Sequence, residues 1–438
     1  MKHILRRKVL LFCCVVALLL AWTVTGNAAI SGVKGKTFNL TAKSGYITTP
    51  DGNNIFMWGY ALNGGTMQYP GPTLIVNQGA VVTVRLTNQL SVPVSITFPG
   101  QGEVTATGGI PGLLAREAPP GATVEYQFRV SQPGTYMYHS GTRPELQIEM
   151  GLVGAIIVRP MVGGTVITGQ AYTHPDSQFD HQYLFLLTEL DPHIHTLVEQ
   201  GRMNEFNNTV VHAEYWMING RAAPDTLLAT NDPTLPSQPY GSIVMAHPRE
   251  KVLMRIISAG RDPHPFHNHG NHATLIAHDG RLLESVPGAG ADLGERHFTT
   301  NAVPGETYDL IFTWTGENMG WDFYGHTDPT GAGLTGAACV AAGVPLESGE
   351  PLENHCKPIP VSLPTQDALT FGQFYSGSPF LGALGALPPG EGGFNPNGGY
   401  FFMWHSHAER ELTNFDIFPG GMLTFLILEH PNVVLSVP

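Results

Sequence analysis

Histidine is unevenly distributed along this chain of 438 residues. One cluster reads Asp262-Pro-His264-Pro-Phe-His267-Asn-His269-Gly-Asn-His272, and a second reads Met403-Trp-His405-Ser-His407-Ala-Glu409-Arg-Glu411. A weaker third is Tyr138-His139-Ser140. Side chains two apart on a strand point to the same face. His267 and His269 therefore project together, as do His405 and His407. Four neutral imidazoles converging on one point make a metal site, and copper, zinc, iron and nickel all accept that donor. Surface or core histidines with ordinary hydrogen bonds are the alternative. Two His-x-His pairs, each inside a matched segment of the chain, weigh toward metal.

Those pairs need strands to carry them, and the chain supplies the same strands twice. Residues 79–88, 119–128, 134–140 and 151–158 recur in order and character as 249–258, 303–312, 399–406 and 421–428. Each block is a strand-length run with apolar alternation, bounded by Gly, Pro or Asn. Four ordered matches mark two diverged copies of one β-sandwich. Both histidine pairs fall in the second copy, at the same end of neighbouring blocks. The expected fold is all-β, with Greek-key sandwich domains at 31–162 and 206–430. A connector at 163–205 holds one more strand-like run, Tyr183 to Thr188. The 52 glycines, the 35 prolines and a charged fraction of 13% agree with short strands broken by turns. An insertion of about 70 residues, 328–398, interrupts the second domain and holds Cys339 and Cys356.

The resemblance to a known family becomes specific at four places. They are Tyr69-Pro-Gly-Pro-Thr-Leu74, the His264-to-Gly270 run, His405-Ser-His407 followed by Gly-Gly-Met422, and Gly134-to-Ser140 leading through Gln147 into residues 151–158. Together they resemble multicopper oxidases and the related copper nitrite reductases, over most of residues 57–430 outside the insertion. The resemblance implies two cupredoxin-like domains and copper as the cofactor, with zinc the second choice. By analogy with two-domain relatives, a homotrimer with sites between subunits is one option for assembly.

The family uses four histidine motifs to hold one blue copper and a three-copper cluster that reduces dioxygen, and this sequence departs from them. The first motif, His-x-His-Gly, falls at Thr97-Phe98-Pro99-Gly100. The second, His-Ser-His, reads His139-Ser140-Gly141. The third is nearly complete in His264, His267 and His269. The fourth, His-Cys-His, reads His405-Ser406-His407, and its next histidine falls at Glu411. A blue copper needs a thiolate, two imidazoles and a weak axial ligand. Ser406 cannot supply the thiolate, and Met422 lies farther along the chain than the family's axial ligand. The surviving imidazoles, His139, His267, His269, His405 and His407, suit one copper or a close pair. His264 is left near the vacated blue site, where Glu409, Glu411 and Asp416 are available oxygen donors.

The remaining features concern compartment and charge. Lys2, Arg6, Arg7 and Lys8 precede an apolar run from Val9 to Trp22 and then Gly26-Asn27-Ala28-Ala29, the order of a secretory signal over residues 1–29. The run is shorter than the roughly 20 residues of a spanning helix. General secretion is favoured over twin-arginine export. Loss of that segment leaves 18 Lys and Arg against 35 Asp and Glu, a surface that repels nucleic acid and anionic lipid. A periplasmic or extracellular protein, off the membrane once the signal is cleaved, is expected to join Cys339 to Cys356 as a disulfide. His174, His181, His193 and His195 in the connector are read as solvated loop residues. His326 either starts the insertion or is the second copy's counterpart of His139. Three functions stay in play: a copper-binding protein with residual or altered redox activity, another mononuclear metalloenzyme on the same scaffold, and a non-catalytic assembly or surface-binding module.

Overall fold

The computed structural model describes residues 30–358 and 400–435. The expected signal segment and the larger part of the insertion, 359–398, lie outside the described residues. The first sandwich packs a five-stranded sheet, in the order Asn54–Leu62, Thr37–Thr48, Val81–Asn88, Thr123–Arg129 and Gly102–Gly108, over a four-stranded one of Val33–Lys34, Gly71–Asn77, Val153–Arg159 and Gly134–His139. Alternation does the sorting. Val82, Val84 and Leu86 turn inward from one strand, and Val124, Tyr126 and Phe128 from the next, while Arg85 and Gln127 face water.

The second sandwich repeats this wiring. Lys251–Ser258 pairs antiparallel with Thr307–Thr313, as Val81–Asn88 does with Thr123–Arg129. Tyr400–Ser406 pairs antiparallel with Leu423–Leu428, as Gly134–His139 does with Val153–Arg159. Val244–Ala246 runs parallel to Leu423–Leu428, the place Gly71–Asn77 takes in the first copy. The four repeated blocks are therefore equivalent strands. Residues 320–326 form no strand, so Tyr400–Ser406 is the counterpart of the His139 strand.

The segment read as a connector does more than connect. His181–Leu190 lies parallel to Lys251–Ser258 and antiparallel to Tyr215–Ile218, inside the second sandwich. It stands where Thr37–Thr48 stands beside Val81–Asn88 in the first. The helix Pro192–Glu199, capped by Asp191 Oδ1 accepting from His193 N, presses Ile194 and Val198 into the first core. Two histidines expected in solvent are consequently buried. His181 Nε2 lies 2.7 Å from Glu250 Oε2, and His195 Nδ1 lies 2.6 Å from the Phe56 carbonyl. His193 is exposed and His174 half-buried. Cys339 and Cys356 form the expected disulfide.

The sandwiches meet across apolar faces. Ile75, Met137, Val153 and Ile157 of the first pack with Leu184, Leu186, Met217 and Ile257 of the second. Strands covered on both faces read as near-continuous apolar runs rather than alternating ones, as Lys251–Ser258 does apart from Arg255. One ion pair is sealed inside this seam. Arg255 Nη1 lies 3.5 Å from Asp309 Oδ2, both side chains 2% exposed. Thr135 Oγ1 donates to Asp309 and accepts from Arg255, and Tyr172 OH also donates to Asp309. Removing one member of a buried pair strands the other's charge, at a cost of about 3–5 kcal/mol. Asp309→Ala should lower the unfolding free energy from urea titration by that much, and Arg255→Met with Asp309→Leu should recover most of the loss.

Candidate metal centre

Two adjacent strands build the centre. His264–Asn268 pairs antiparallel with Tyr400–Ser406, and the register sets His267 directly opposite His405. Cross-strand partners share a face, so one imidazole from each strand is brought together. His269 follows the end of its strand, where its N–H donates to the Met403 carbonyl and its own carbonyl accepts from Trp404 Nε1. His407 N donates to the Pro265 carbonyl just past the other strand. Four rings result with close centroids: His267–His407 at 4.8 Å, His267–His269 at 4.9 Å, His269–His405 at 5.0 Å and His405–His407 at 5.6 Å.

The orientation of the rings suits ligation. Nitrogens of His267, His269 and His405 lie within 4.8 Å of one another. His405 Nδ1 donates to the Ser406 carbonyl at 2.5 Å, leaving Nε2 as the lone-pair nitrogen, 3.1 Å from His269 Nε2. His267 Nδ1 meets Thr299 Oγ1 at 2.6 Å. A ring fixed through one nitrogen by a neighbouring oxygen presents the other to a metal. The rings are also held neutral. Burial, then His405 and His407, bring His267 down to about 4. Burial, then His405, His267 and His407, bring His269 to about 2. Burial lowers His405 as well. Three buried, uncharged imidazoles are a donor set that fits copper or zinc.

Two of the six expected ligands stand apart. His139 contacts Thr97 across an isolated bridge, its Nδ1 lies 2.9 Å from the Ser140 carbonyl, and it is not among the residues whose ligand atoms converge. That bridge sets Thr97 beside His139, where the first histidine motif was expected. His264 is fully buried and spans two carboxylates, with Nδ1 2.9 Å from Glu411 Oε2 and Nε2 3.0 Å from Glu189 Oε2. Ser406 Oγ donates to the same Glu411 oxygen at 2.6 Å. Glu409 and Asp416 are exposed and take no part. Glu189 was missed in the sequence, although a carboxylate ending the apolar run Leu184–Thr188 was a visible signal. An interdomain cavity of about 610 Å³ is lined by Glu149, Glu189 and Arg261, and by none of the clustered histidines.

Comparison with known proteins locates this architecture. Residues 48–162 match the family model described as multicopper oxidase. Over that segment the chain is similar to multicopper oxidases. It is 29% identical over 169 residues to copper resistance protein A of Pseudomonas syringae pv. tomato, which covers 39% of this chain and 25% of that protein. It is 35% identical over 105 residues to laccase 1 of Metarhizium acridum, covering 24% of this chain and 17% of that one. The matches thus span a quarter or less of those relatives. The fold is shared with the blue copper oxidase of Nitrosomonas europaea at a TM-score of 0.54 and 18% identity, over 92% of this chain and 90% of that one. Both sandwiches are accordingly cupredoxin-like.

The network around His264 has a measurable signature. Burial alone lowers the ring's pKa, but Glu189 and Glu411 outweigh it and raise it to about 9. His264 is therefore an imidazolium at neutral pH, donating from both nitrogens. Unfolded, the ring titrates near roughly 6.5. Its contribution is thus complete below that pH and is lost as pH rises through about 9, a swing on the order of 3 kcal/mol. Thermal melts of metal-free protein should show a fall in Tm across this alkaline window, and His264→Gln should flatten that part of the profile.

Proposed function

We propose that this chain is an exported, copper-binding multicopper-oxidase-like protein with a histidine copper site and no blue copper centre. The observation that carries it is the convergence of His267, His269 and His405, with His407 at the rim. Copper bound there supplies one-electron redox chemistry. The protein's part is to hold the three buried rings neutral, to fix the His405 tautomer through the Ser406 carbonyl and to orient His267 through Thr299. Zinc is the second choice for the same donors. The ligand set is reduced relative to the family's: Thr97 stands beside His139, and Ser406, His264 and Glu411 close on one another where a thiolate and two imidazoles would hold the blue copper. With that site occupied by a proton network, electron entry of the laccase kind is absent, and any turnover is altered or residual. A periplasmic or extracellular location fits the leader and the disulfide, and no helix among the described residues is long and apolar enough to cross a membrane. By analogy with two-domain relatives, the reading includes a homotrimer in which His139 would approach the cluster of a neighbouring copy.

Elemental analysis tests the site. Replacing His267 and His269 together by Ala should abolish stoichiometric copper, whereas unchanged copper would make these histidines structural and favour the non-catalytic module. Visible spectra test the missing centre. The copper-loaded wild type should lack the intense blue thiolate band. Combining Ser406→Cys with Glu411→His should create it, because the two substituted side chains and His264 then form the thiolate–diimidazole set.

A further inference from the structure

A second group of metal-type donors lies where the insertion leaves the second sandwich, away from the histidine cluster. Asp322 and His326 belong to the Trp321–His326 segment, which is anchored in the core: Phe323 packs on Trp314 with centroids 5.0 Å apart and also on Tyr400. Glu350 and His355 come from the insertion. The side chains of Asp322, Glu350 and His355 are fully buried, and that of His326 is 20% exposed. One ligand atom from each of the four lies within 4.8 Å of the others.

The contacts leave a gap for positive charge. His355 Nε2 lies 3.1 Å from the Val344 carbonyl. A carbonyl only accepts, so that nitrogen carries the proton. In the neutral ring, Nδ1 is then a lone pair. It faces Glu350 Oε1 at 2.6 Å and Asp322 Oδ2 at 3.5 Å. His326 Nδ1 faces the same two oxygens at 3.5 Å and 3.0 Å. Two carboxylates and two imidazole nitrogens pointing at one another, out of water, need positive charge among them, and either protons on the rings or a bound metal ion can supply it. Metal bonds of about 2.0 Å in a tetrahedron separate the ligands by about 3.3 Å, close to three of these four spacings. The backbone supports the arrangement. Asp322 Oδ2 accepts from Cys356 N at 2.7 Å, and Oδ1 accepts from Tyr324 N and Gly325 N. The adjacent sulfurs are not competing ligands, because Cys339 and Cys356 are spent on each other.

We propose that Asp322, His326, Glu350 and His355 form a divalent-metal site, with Zn²⁺ the favoured ion, that clamps the insertion to the second sandwich beside the Cys339–Cys356 disulfide. Two imidazoles and two carboxylates suit Zn²⁺ better than the soft-ligand preference of Cu⁺. Because a ligand pair comes from each side, binding energy is also docking energy for the insertion.

The test uses the full chain carrying His267→Ala and His269→Ala, so that the cluster does not contribute. After chelator treatment, calorimetric titration with Zn²⁺ should show one equivalent bound. Adding His326→Ala, the least buried of the four, should weaken that binding by at least about tenfold. Co²⁺ loaded instead of Zn²⁺ into the chain carrying only His267→Ala and His269→Ala should give the intense visible bands of a four-coordinate ion, and adding His326→Ala should remove them. No zinc uptake, uptake unchanged by His326→Ala, or a pale six-coordinate cobalt spectrum would each overturn the proposal and leave a proton-filled hydrogen-bond cluster. If the His326→Ala protein does not fold, Glu350→Gln serves in its place with the same readouts.

Discussion

His267 and His405 face each other across an antiparallel pair, and the histidine cluster depends on that register. A slip of one residue would turn Phe266 and Ser406 into the positions the rings now hold and send the imidazoles to the opposite face. The register is secured from both flanks. Thr299–Ala302 pairs with the outer edge of His264–Asn268, and Leu423–Leu428 runs along the far side of Tyr400–Ser406. Phe266 and Trp404, both buried against Phe185, lock the inward face. The apolar packing of one face thus positions the donors on the other.

The same two strands carry a second polar assembly with the opposite electrostatic character. Around His267, burial without counter-charge keeps imidazole neutral. Around His264, three residues away, two buried carboxylates keep it protonated. One side chain type is held neutral in one place and charged in the other, and the neighbouring acids decide which. Ser406 belongs to both: its carbonyl orients His405, and its hydroxyl binds the carboxylate that holds His264.

Much of this was legible in the residues because it is local or repeated. The His-x-His spacing, the four duplicated blocks and the lone cysteine pair needed no tertiary information. What escaped had distant partners. Glu411 was expected beside His264, but Glu189, which meets the same ring from 75 residues away, was not, because that pairing spans the two halves of the second sandwich. His181 and His195 read as loop residues because nothing nearby announces Glu250 or the Phe56 carbonyl. His264 looked like a ligand because it belongs to the same short run as His267 and His269. Only the fold shows that both its nitrogens are already engaged.

His269 and His405 touch across 136 positions of sequence. Contacts of such separation form late, since the intervening loop must close before they are rewarded. A chain emerging from its N-terminus presents His267 and His269 long before His405 exists. The three-ring donor set is thus absent from every nascent or half-threaded chain, and metal capture is tied to completion of the second sandwich.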